Sequence, residues 1–404
     1  MSEKKEKVLI VHNYYQIPGG EDTVVSNEKT LLEEHGHEVI LYTRHNSELK
    51  TFSKIQKLLL PFSTIFNIRT FREIKHLIRS ENIDIIHVHN TLNLISPSAY
   101  YAGLACKVPV VQTIHNFRLL CPGATFFRDG QICEDCVTKG LTCAIKHKCY
   151  RNSRLQTLAC VVSTWLHRAI GIYGKLNYIC LTEFNREKIL GLKQIQSQKV
   201  FVKPNFVKVR EKIVPYDKRK KQFIYVGRLD ELKGVDFLLK TWKEFAADDY
   251  QLFICGTGPL EDWCKEYVQK HHMYNVELKG FVENSLARKM IGESKALILP
   301  TRWYEGFPMT IAESYGGGTP VIGTDLGNTG SLIEPGKSGW KFSVDSKKQL
   351  LIALEQAKKS DVGLSNEFRE KYSAEENYKV LKMIYGECLK RSKCTKERIF
   401  TKDE

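Results

Sequence analysis

A turn that begins and ends with glycine carries two positive charges. Arg228 and Lys233 lie five residues apart within Gly227–Gly234, which follows the apolar run Gln222–Gly227. A guanidinium fork and a flexible ammonium group are both suited to stabilising the negative charge that grows on a departing diphosphate. We therefore predict an anion-binding turn at the end of a β-strand.

Two glutamates form a second candidate site. Glu305 and Glu313 follow the apolar run Ala296–Pro300, and the residues between them indicate a loop that becomes a helix near Met309. We expect Glu305 in the loop and Glu313 about one turn into the helix, whose first N–H groups attract phosphate. The carboxylates would accept hydrogen bonds from the hydroxyl groups of a sugar and a ribose. Two solvated surface glutamates are the alternative interpretation.

A pair of glycines follows the first apolar run of the chain. Gly19 and Gly20 come after Lys7–Asn13, where the pattern changes from strand to helix. Glycine lets the backbone approach a ligand closely, and the N–H groups at a helix start attract phosphate or sugar oxygens. A plain turn explains the pair equally well.

The elements that must position these residues are short apolar runs alternating with longer helix-like stretches. The runs are continuous, which is typical of parallel strands buried on both faces, so the sequence predicts doubly wound α/β sheets. The predicted strands are Lys7–Asn13, Glu38–Thr43, Ile83–His89, Val108–His115, Tyr178–Thr182, Val200–Lys203, Gln222–Gly227, Gln251–Gly256, Val276–Phe281, Ala296–Pro300 and Pro320–Gly323. The predicted helices include Val235–Phe245, Leu260–His271, Gln349–Lys359 and a final helix after Ser373.

The length of 404 residues and a polar, basic break at Val207–Lys221 predict two domains, 1–210 and 211–404. Each would hold five or six strands, and the final helix would either stay with the second domain or pack back onto the first. Ligands of such sheets bind at the carboxyl ends of the strands, so two facing domains would hold a ligand in a central cleft.

Positive charge dominates the chain, whose formal net charge is +15. The stretch Cys136–Thr182 contains seven Lys or Arg and no acidic residue, and Lys54–Arg79 contains six with a single Glu among apolar residues. Basic and apolar residues together favour an anionic membrane surface or a phosphorylated lipid, while a solvated basic face is the alternative. No nucleic-acid-binding motif accompanies the charge, so we expect no nucleic acid partner.

The location of the protein follows from two absences in the sequence. No apolar run reaches the roughly 18 residues of a membrane span, and the charged start of the chain lacks a signal-peptide pattern. We therefore expect a cytoplasmic protein with peripheral contact to the inner face of the membrane.

Cysteine is concentrated in the segment 116–150, which contains five of the twelve cysteines: Cys121, Cys133, Cys136, Cys143 and Cys149. Disulfides are rare in the cytoplasm, and the spacing of Cys133 and Cys136 is that of a zinc knuckle. The second pair of a full zinc motif is missing. A structural zinc at Cys121–Cys149 and reduced, metal-free thiols therefore remain as two interpretations.

The second half of the chain resembles the retaining glycosyltransferases of family 4, which have the GT-B fold. The resemblance rests on the Gly-Arg…Lys-Gly turn, the two glutamates with seven residues between them, and the segments Cys255–Pro259, Gly280–Val282 and Gly317–Ile322. The resemblance extends over nearly the whole chain. It includes the cysteine-rich insert, which is similar to that of some bacterial members that build cell-surface polysaccharides. The resemblance implies an acceptor-binding first domain and a second domain that binds a nucleotide sugar.

The resemblance also implies roles for individual residues. The catalytic residues would be His115, Arg228, Lys233 and Glu305. The donor-binding residues would be Gly19, Gly20, Gly227, Gly256, Gly258, Val282, Gly306, Phe307, Pro308, Met309, Thr310 and Glu313. Many members have glycine at the position of Pro308, and because proline has no N–H, one backbone donor to the sugar is missing here.

The implied function is transfer of a sugar from a nucleotide diphosphate donor to a glycan or isoprenoid-lipid-linked acceptor in cell-surface polysaccharide synthesis. No Asp-x-Asp occurs in the sequence, so we expect no metal in catalysis, the two cations of the turn taking its place. The alternatives are a nucleotide-sugar epimerase or a soluble-acceptor transferase of the same fold. A zinc-bearing nucleic-acid-binding protein is a third reading, but it leaves the two glutamates unexplained.

Overall fold

The computed structural model of the chain describes residues 5–16, 19–245 and 249–400, with side chains described up to residue 393. The chain divides into two compact units. Unit 1 comprises the described residues up to Phe126, Cys133–Lys203, and the chain from Tyr378 onward. Unit 2 comprises Phe127–Ile132 and Pro204–Asn377.

The strands alternate with helices along the sequence. The strands are β1 (Lys7–Tyr14), β2 (Glu38–His45), β3 (Ile85–Asn90), β4 (Val110–Ile114), β5 (Phe127–Arg128), β6 (Gln131–Ile132), β7 (Asn177–Cys180), β8 (Val200–Val202), β9 (Gln222–Val226), β10 (Gln251–Cys255), β11 (Val276–Gly280), β12 (Ala296–Leu299), β13 (Val321–Thr324) and β14 (Gly339–Phe342). The helices are α1 (Gly20–Glu34), α2 (Lys54–Ile65), α3 (Ile68–Ser80), α4 (Ser98–Ala105), α5 (Asp135–Thr138), α6 (Thr142–Lys146), α7 (Arg154–Ala169), α8 (Glu183–Leu190), α9 (Val235–Trp242), α10 (Glu261–Lys270), α11 (Asn284–Glu293), α12 (Met309–Gly316), α13 (Gly327–Leu332), α14 (Lys347–Lys359), α15 (Asn366–Glu370) and α16 (Ala374–Phe400).

Each unit contains a parallel sheet. The order in unit 1 is β2-β1-β3-β4-β7-β8 and in unit 2 it is β11-β10-β9-β12-β13-β14. Neighbouring strands in both sheets run parallel, whereas β5 and β6 form a separate antiparallel hairpin. The predicted α/β class with doubly wound sheets is therefore confirmed.

The central strands are buried because their sequences are apolar on both faces. Val8, Leu9, Ile10 and Val11 of β1 have no exposed surface, and β4, β12 and β13 are buried along their whole length. Helices on both sides of a sheet cover such strands, which explains why continuous apolar runs located them. The predicted and observed strand ends differ by at most two residues.

One strand of the parallel sheet of unit 2 was not predicted from the sequence. Gly339–Phe342 forms β14 at the edge of the sheet, next to β13, where its central residues Trp340 and Lys341 are only half-buried. An edge strand has no neighbour on one side, so its sequence lacks the continuous apolar run of a central strand. The sheet of unit 2 thus has six strands, and five of them are among the eleven strands predicted from the sequence.

The segment between β4 and α7 contains the hairpin β5–β6 and the short helices α5 and α6. Each cysteine that the structure describes is a free thiol. Within the described part of the chain, no helix combines the length and the apolar character needed to cross a lipid bilayer.

Candidate active site

The turn after β9 is fixed by its own hydrogen bonds. The hydroxyl of Tyr225 donates to the carbonyl of Arg228 over 2.7 Å. The carboxylate of Asp230 accepts the backbone N–H of Lys233 over 2.9 Å and lies 3.3 Å from Nε of Arg228. These contacts leave the Arg228 side chain 62% exposed. Its guanidinium is therefore both oriented and open to an anion from solvent.

Glycine allows three loops to meet at the carboxyl edge of the unit 2 sheet. Gly234 has a φ of +68°, and a Cβ there would lie 2.0 Å from the carbonyl oxygen of Pro300, just after β12. A Cβ on Gly256, after β10, would lie 1.9 Å from the carbonyl oxygen of Gly227. A Cβ on Gly258 would lie 2.4 Å from the carbonyl oxygen of Leu229. The loops after β9, β10 and β12 are thus held in backbone contact.

Glu305 is the centre of a cluster of hydrogen-bond donors. Its Oε1 accepts from Nζ of Lys233 over 2.7 Å, from the hydroxyl of Thr301 over 3.1 Å and from Nε1 of Trp303 over 3.0 Å. The side chain of Glu305 is buried. Its Oε2 has no hydrogen-bond partner among the described residues. A buried carboxylate oriented in this way has one oxygen available for a hydroxyl group.

The second glutamate lies in α12, one helical turn beyond the loop. Glu313 is buried and accepts a hydrogen bond from Nδ2 of Asn284 over 2.7 Å. Burial raises the pKa of Glu313, while the Asn284 hydrogen bond and the charge of Arg288 act in the opposite direction. Val282 comes two residues before Asn284 and is half-buried in a hollow beside Phe281. Asn284 therefore lies close in sequence to one predicted donor-binding residue, Val282, and binds another, Glu313.

The loop before α12 brings the remaining donor residues to the helix start. Phe307 and Pro308 are buried, whereas Gly306, Met309 and Thr310 are half-buried. Pro308 is the residue that precedes the helix, and its side chain does not cap the first turn. The first N–H groups of α12 are consequently not satisfied by a capping side chain.

His115 lies in unit 1, directly after β4. Its Nε2 is 2.9 Å from Nδ1 of His89, and both imidazoles line a cavity together with Asn90 and Arg118. Burial lowers the pKa of His115 to about 3 and holds that of His89 well below its usual value. Both rings are therefore neutral at pH 7.

Gly19 and Gly20 begin α1 in unit 1. Gly19 is the N-cap residue, and its N–H donates to the carboxylate of Asp22 over 3.0 Å. A Cβ on Gly19 would meet no atom within 4 Å. Packing within the protein therefore does not require glycine at this position.

Comparison with known protein families identifies the family to which the chain belongs. A family model described as Glycosyltransferase Family 4 matches residues 18–211, and a model described as Glycosyl transferases group 1 matches residues 208–376. Together they span most of the chain. The chain is a family 4 glycosyltransferase.

Two curated relatives extend along most of this glycosyltransferase. An uncharacterized 41.2 kDa protein in the cps region of Klebsiella pneumoniae is 24% identical, with 86% of the present chain and 89% of the relative covered. An uncharacterized glycosyltransferase of Methanocaldococcus jannaschii is 23% identical, with 94% and 98% covered.

Two solved structures share the fold of the glycosyltransferase. The apo form of the lipopolysaccharide outer core galactosyltransferase WaaB has a TM-score of 0.64 at 17% identity, covering 94% of this chain and 98% of that one. Anabaena HepE in complex with UDP has a TM-score of 0.63 at 14% identity, covering 94% and 100%. The predicted GT-B fold of the enzyme is thereby confirmed.

The structure brings together part of the predicted site of the enzyme. Lys233 and Glu305 are in direct contact, and the loop and helix positions of Glu305 and Glu313 are as predicted. Glu313 contacts Asn284 rather than the other predicted acid. His115, Gly19 and Gly20 belong to unit 1 and the other predicted residues to unit 2. The catalytic and donor-binding roles stay predictions.

Sequence reasoning missed two polar residues, Arg302 and Asn328, whose contacts hold the loop that contains Glu305. Arg302 binds Asp236 over 2.6 Å and Asp345 over 2.8 Å, and it also donates to the carbonyl of Glu231. Asn328 donates to the backbone carbonyl of Glu305 and, over 2.6 Å, to that of Gly306. The sequence offers one indication of these residues. Arg302 follows β12 and Asn328 follows β13, and polar side chains in such positions lie at the carboxyl edge of the sheet.

A group of buried ionisable residues in unit 1 also went unpredicted. Ligand atoms of Glu28, His87 and His89 lie within 4.8 Å of one another, a separation that a metal ion would also need. Protein groups already occupy this cluster, since Lys203 donates to Glu28 over 3.1 Å and the Tyr385 hydroxyl lies 2.7 Å from Nδ1 of His87. A buried ammonium beside the carboxylate disfavours a bound cation. We interpret the group as an internal ion-pair network.

Proposed function

We propose that this glycosyltransferase moves a sugar from a nucleoside diphosphate donor to a glycan on a lipid carrier, with retention of anomeric configuration. The contact between Lys233 and Glu305 carries the proposal, because it places a cation for phosphate beside an acid for sugar hydroxyls. The location of the Klebsiella relative in a cps region and the name of WaaB support a role in cell-surface polysaccharide synthesis. The UDP bound to HepE supports a nucleotide donor.

The reaction breaks the bond between the anomeric carbon and the diphosphate oxygen. The electron pair leaves with the diphosphate, and the acceptor oxygen forms the new bond on the same face of the sugar. The acceptor proton passes to the departing phosphate oxygen. Arg228 and Lys233 neutralise the charge that accumulates there, a kind of contact whose loss typically slows catalysis by about 10² to 10³.

The two glutamates hold the parts of the donor that do not react. The open Oε2 of Glu305 accepts a hydroxyl of the donor sugar, while Lys233, Thr301 and Trp303 hold its other oxygen in place. Glu313 accepts the ribose hydroxyls, with Val282 beside the base. The donor oxygens would meet the backbone of Gly306 to Thr310, where Pro308 supplies no N–H.

Unit 1 is the acceptor-binding unit in this proposal, and three of its residues would also contact the donor. His115 would contact the reacting sugar as a neutral imidazole, because burial holds its pKa at about 3. Gly19 and Gly20 would place the start of α1 beside the diphosphate, with the N–H of Gly20 as the donor because that of Gly19 binds Asp22. The open space around Gly19 leaves room for such an oxygen.

A nucleotide-sugar binding screen tests the proposal. At 100 times its dissociation constant, the true donor stabilises the protein by about 2.7 kcal/mol, which a thermal-shift assay detects. Arg228→Ala with Lys233→Ala should abolish that shift and lower turnover at least 100-fold. The matched control is Lys337→Ala with Lys359→Ala, which removes two exposed cations of unit 2 that lie outside the site. Unchanged turnover in the first variant would refute the assignment.

The stereochemical outcome has its own measurement. Proton NMR of the early product distinguishes an axial from an equatorial anomeric proton, and the donor configuration is known from the nucleotide sugar used. Retention is expected. An inverted product would contradict the same-face reaction, and an epimerised donor without acceptor transfer would favour the epimerase alternative.

Catalysis in this proposal needs no metal ion, since Arg228 and Lys233 supply the positive charge. Transfer by purified enzyme should therefore persist after dialysis against EDTA. A return of activity only on adding Mg²⁺ or Mn²⁺ would contradict this.

A structural zinc in the cysteine-rich segment is a separate proposal. The neighbouring Cys136 thiol and nearby backbone N–H groups lower the pKa of Cys121 to about 6. The sulfurs of Cys143 and Cys149 are close enough to Cys136 to raise its pKa further. Thiolates held by backbone N–H groups are typical of zinc knuckles.

Metal analysis of protein purified without chelators tests the zinc proposal. About one zinc per chain is expected, and Cys136→Ser should release it. Cys264→Ser, which alters a buried cysteine of unit 2, is the control and should keep the metal. A zinc-free wild-type protein would leave reduced thiols as the correct interpretation.

A further inference from the structure

Helix α2 exposes a row of large apolar side chains to solvent. Ile55, Leu58, Leu59 and Phe62 are between 53% and 74% exposed. Their spacing of three and four residues places all four on one face of the helix. Thr64, near the C-terminal end, is the buried residue of α2. Such an apolar face in water costs free energy, which indicates a function for the exposure.

Helix α7 packs against α2 and carries a second exposed apolar row. Leu155, Leu158 and Trp165 are 77%, 42% and 60% exposed, and they lie on the side of α7 away from its buried residues. The imidazole of His167 donates to the carbonyl of Ile65 over 2.9 Å, which fixes the end of α2 against α7. We call the exposed side chains of α2 and α7 the α2–α7 surface.

The chain segments that contain α2 and α7 are rich in positive charge. Residues 50–72 and 136–182 contain twelve Lys or Arg and neither Asp nor Glu. Lys54, Lys57, Arg151 and Arg154 form no ion pair with any acidic residue in the described ranges. Two other cations of these segments, Arg69 and Lys139, pair with Glu73 and Asp135. The segments therefore combine exposed apolar groups with four cations that no acidic side chain of the described chain neutralises.

We propose that the α2–α7 surface docks the enzyme on an anionic lipid bilayer. The apolar row would enter the boundary between headgroups and acyl chains, where Trp165 is favoured, and the basic residues would face the lipid phosphates. Helix α2 has 12 residues and is about 18 Å long, so it lies in the membrane plane rather than across a core of about 30 Å.

A second copy of the chain fits this surface less well than a membrane. A symmetric dimer through the α2–α7 surface would bring two sets of unneutralised cations together, which is unfavourable. Lipid phosphates supply the opposite charge. The inference rests on the proposed function in one respect, namely that a lipid-carried acceptor requires the enzyme at the membrane.

Vesicle co-sedimentation of the full-length protein tests the inference. The vesicles contain phosphatidylcholine alone or with about 30 mol% phosphatidylglycerol, at about 0.1 M and about 0.5 M NaCl. Wild-type protein should partition at least about tenfold better onto the anionic vesicles, and high salt should reduce the difference. Lys54→Gln with Lys57→Gln should weaken binding by about fivefold per lysine, about 30-fold in total.

The apolar contribution has its own variant. Leu58→Ser with Phe62→Ser should lower partitioning at least about tenfold, because these side chains no longer enter the bilayer. Its control is Tyr274→Ser with Ile352→Ser, which removes two exposed apolar side chains of unit 2 and should bind like the wild type. For the lysines, Lys337→Gln with Lys359→Gln is the control of equal charge.

The outcomes separate this inference from the proposed function. Three outcomes would overturn the docking surface. Wild-type protein could bind both kinds of vesicle equally, or the α2 variants could bind like the wild type. The third outcome is a dimer in solution that the α2 substitutions dissociate. The donor-induced thermal shift of every variant is measured in parallel. Loss of vesicle binding with that shift retained supports the inference, whereas a missing shift in wild-type protein that still binds vesicles removes only the proposed function.

Discussion

The buried histidines of unit 1 predict that its stability falls as the pH falls from 7 to 5. His89 is 3% exposed, and burial with the charge of His87 holds its pKa well below the usual value. As the pH falls, the unfolded chain therefore binds a proton at His89 more readily than the folded protein does. Because the unfolded chain binds more protons, acid favours unfolding. The contribution of neutral His89 to the free energy of unfolding is fully present only above the unfolded pKa of about 6.5.

The magnitude depends on the unfolded pKa alone, as long as the folded pKa stays well below 5. With an unfolded pKa of about 6.5, the loss between pH 7 and pH 5 is about 2 kcal/mol for one histidine. His115 has its pKa lowered to about 3 and contributes in the same direction. Because a folded pKa of about 3 also lies well below 5, His115 contributes a loss of similar size.

Native-state hydrogen exchange of β3 measures this effect locally. The opening free energy of Ile85–Asn90 is determined at pH 7 and pH 5 with the intrinsic exchange rates corrected for pH. His89→Asn keeps an amide near Nδ1 and cannot titrate, so its pH-dependent loss should be about 2 kcal/mol smaller than that of the wild type. His147→Asn alters an exposed histidine and is the control. Equal losses in wild type and His89→Asn would refute the reasoning.

Three further substitutions test single contacts. Trp303→Phe removes the N–H that Glu305 accepts and should lower kcat/KM about tenfold in a steady-state assay, with the Tm unchanged. Gly234→Ala forces a left-handed φ and a Cβ 2.0 Å from the Pro300 carbonyl, so we expect a loss of at least about 2 kcal/mol, visible as a lower Tm. Tyr385→Phe removes the hydroxyl bound to His87 and should lower the opening free energy of β3 by about 1 kcal/mol in the same exchange measurement. No change in protection would contradict this prediction.

The sheets could be predicted because burial on both faces leaves a local pattern. Strands β1, β9 and β12 each contain four consecutive apolar residues, and each was located from the sequence. Strand β14 escaped because a lysine and an initial glycine break its run. Gly339 at its start has a φ of +157°, and a Cβ there would lie 1.8 Å from the carbonyl of Val321. This close approach to β13 is a tertiary constraint that composition does not reveal.

The site was predictable only where its residues are close in sequence. The Gly227–Gly234 turn and the two glutamates each form a local motif, but the 2.7 Å contact between Lys233 and Glu305 joins residues 72 positions apart. The network around Glu28 is harder still, since its partner Lys203 is 175 positions away. Such pairs depend on which strands become neighbours, and single-sequence periodicity does not contain that information.

The last helix has a consequence for how the protein is made. Helix α16 begins at Ala374, and from Tyr378 onward it belongs to unit 1, where Leu381, Ile384 and Tyr385 are buried. The ribosome delivers these residues after nearly all of unit 2 has been synthesised. All six strands of the unit 1 sheet are synthesised by Val202, but the core of unit 1 stays incomplete until α16 follows, after the whole of Pro204–Asn377. A fragment that stops at Lys203 would lack part of its own core, so separate expression of unit 1 requires grafting the C-terminal helix onto it.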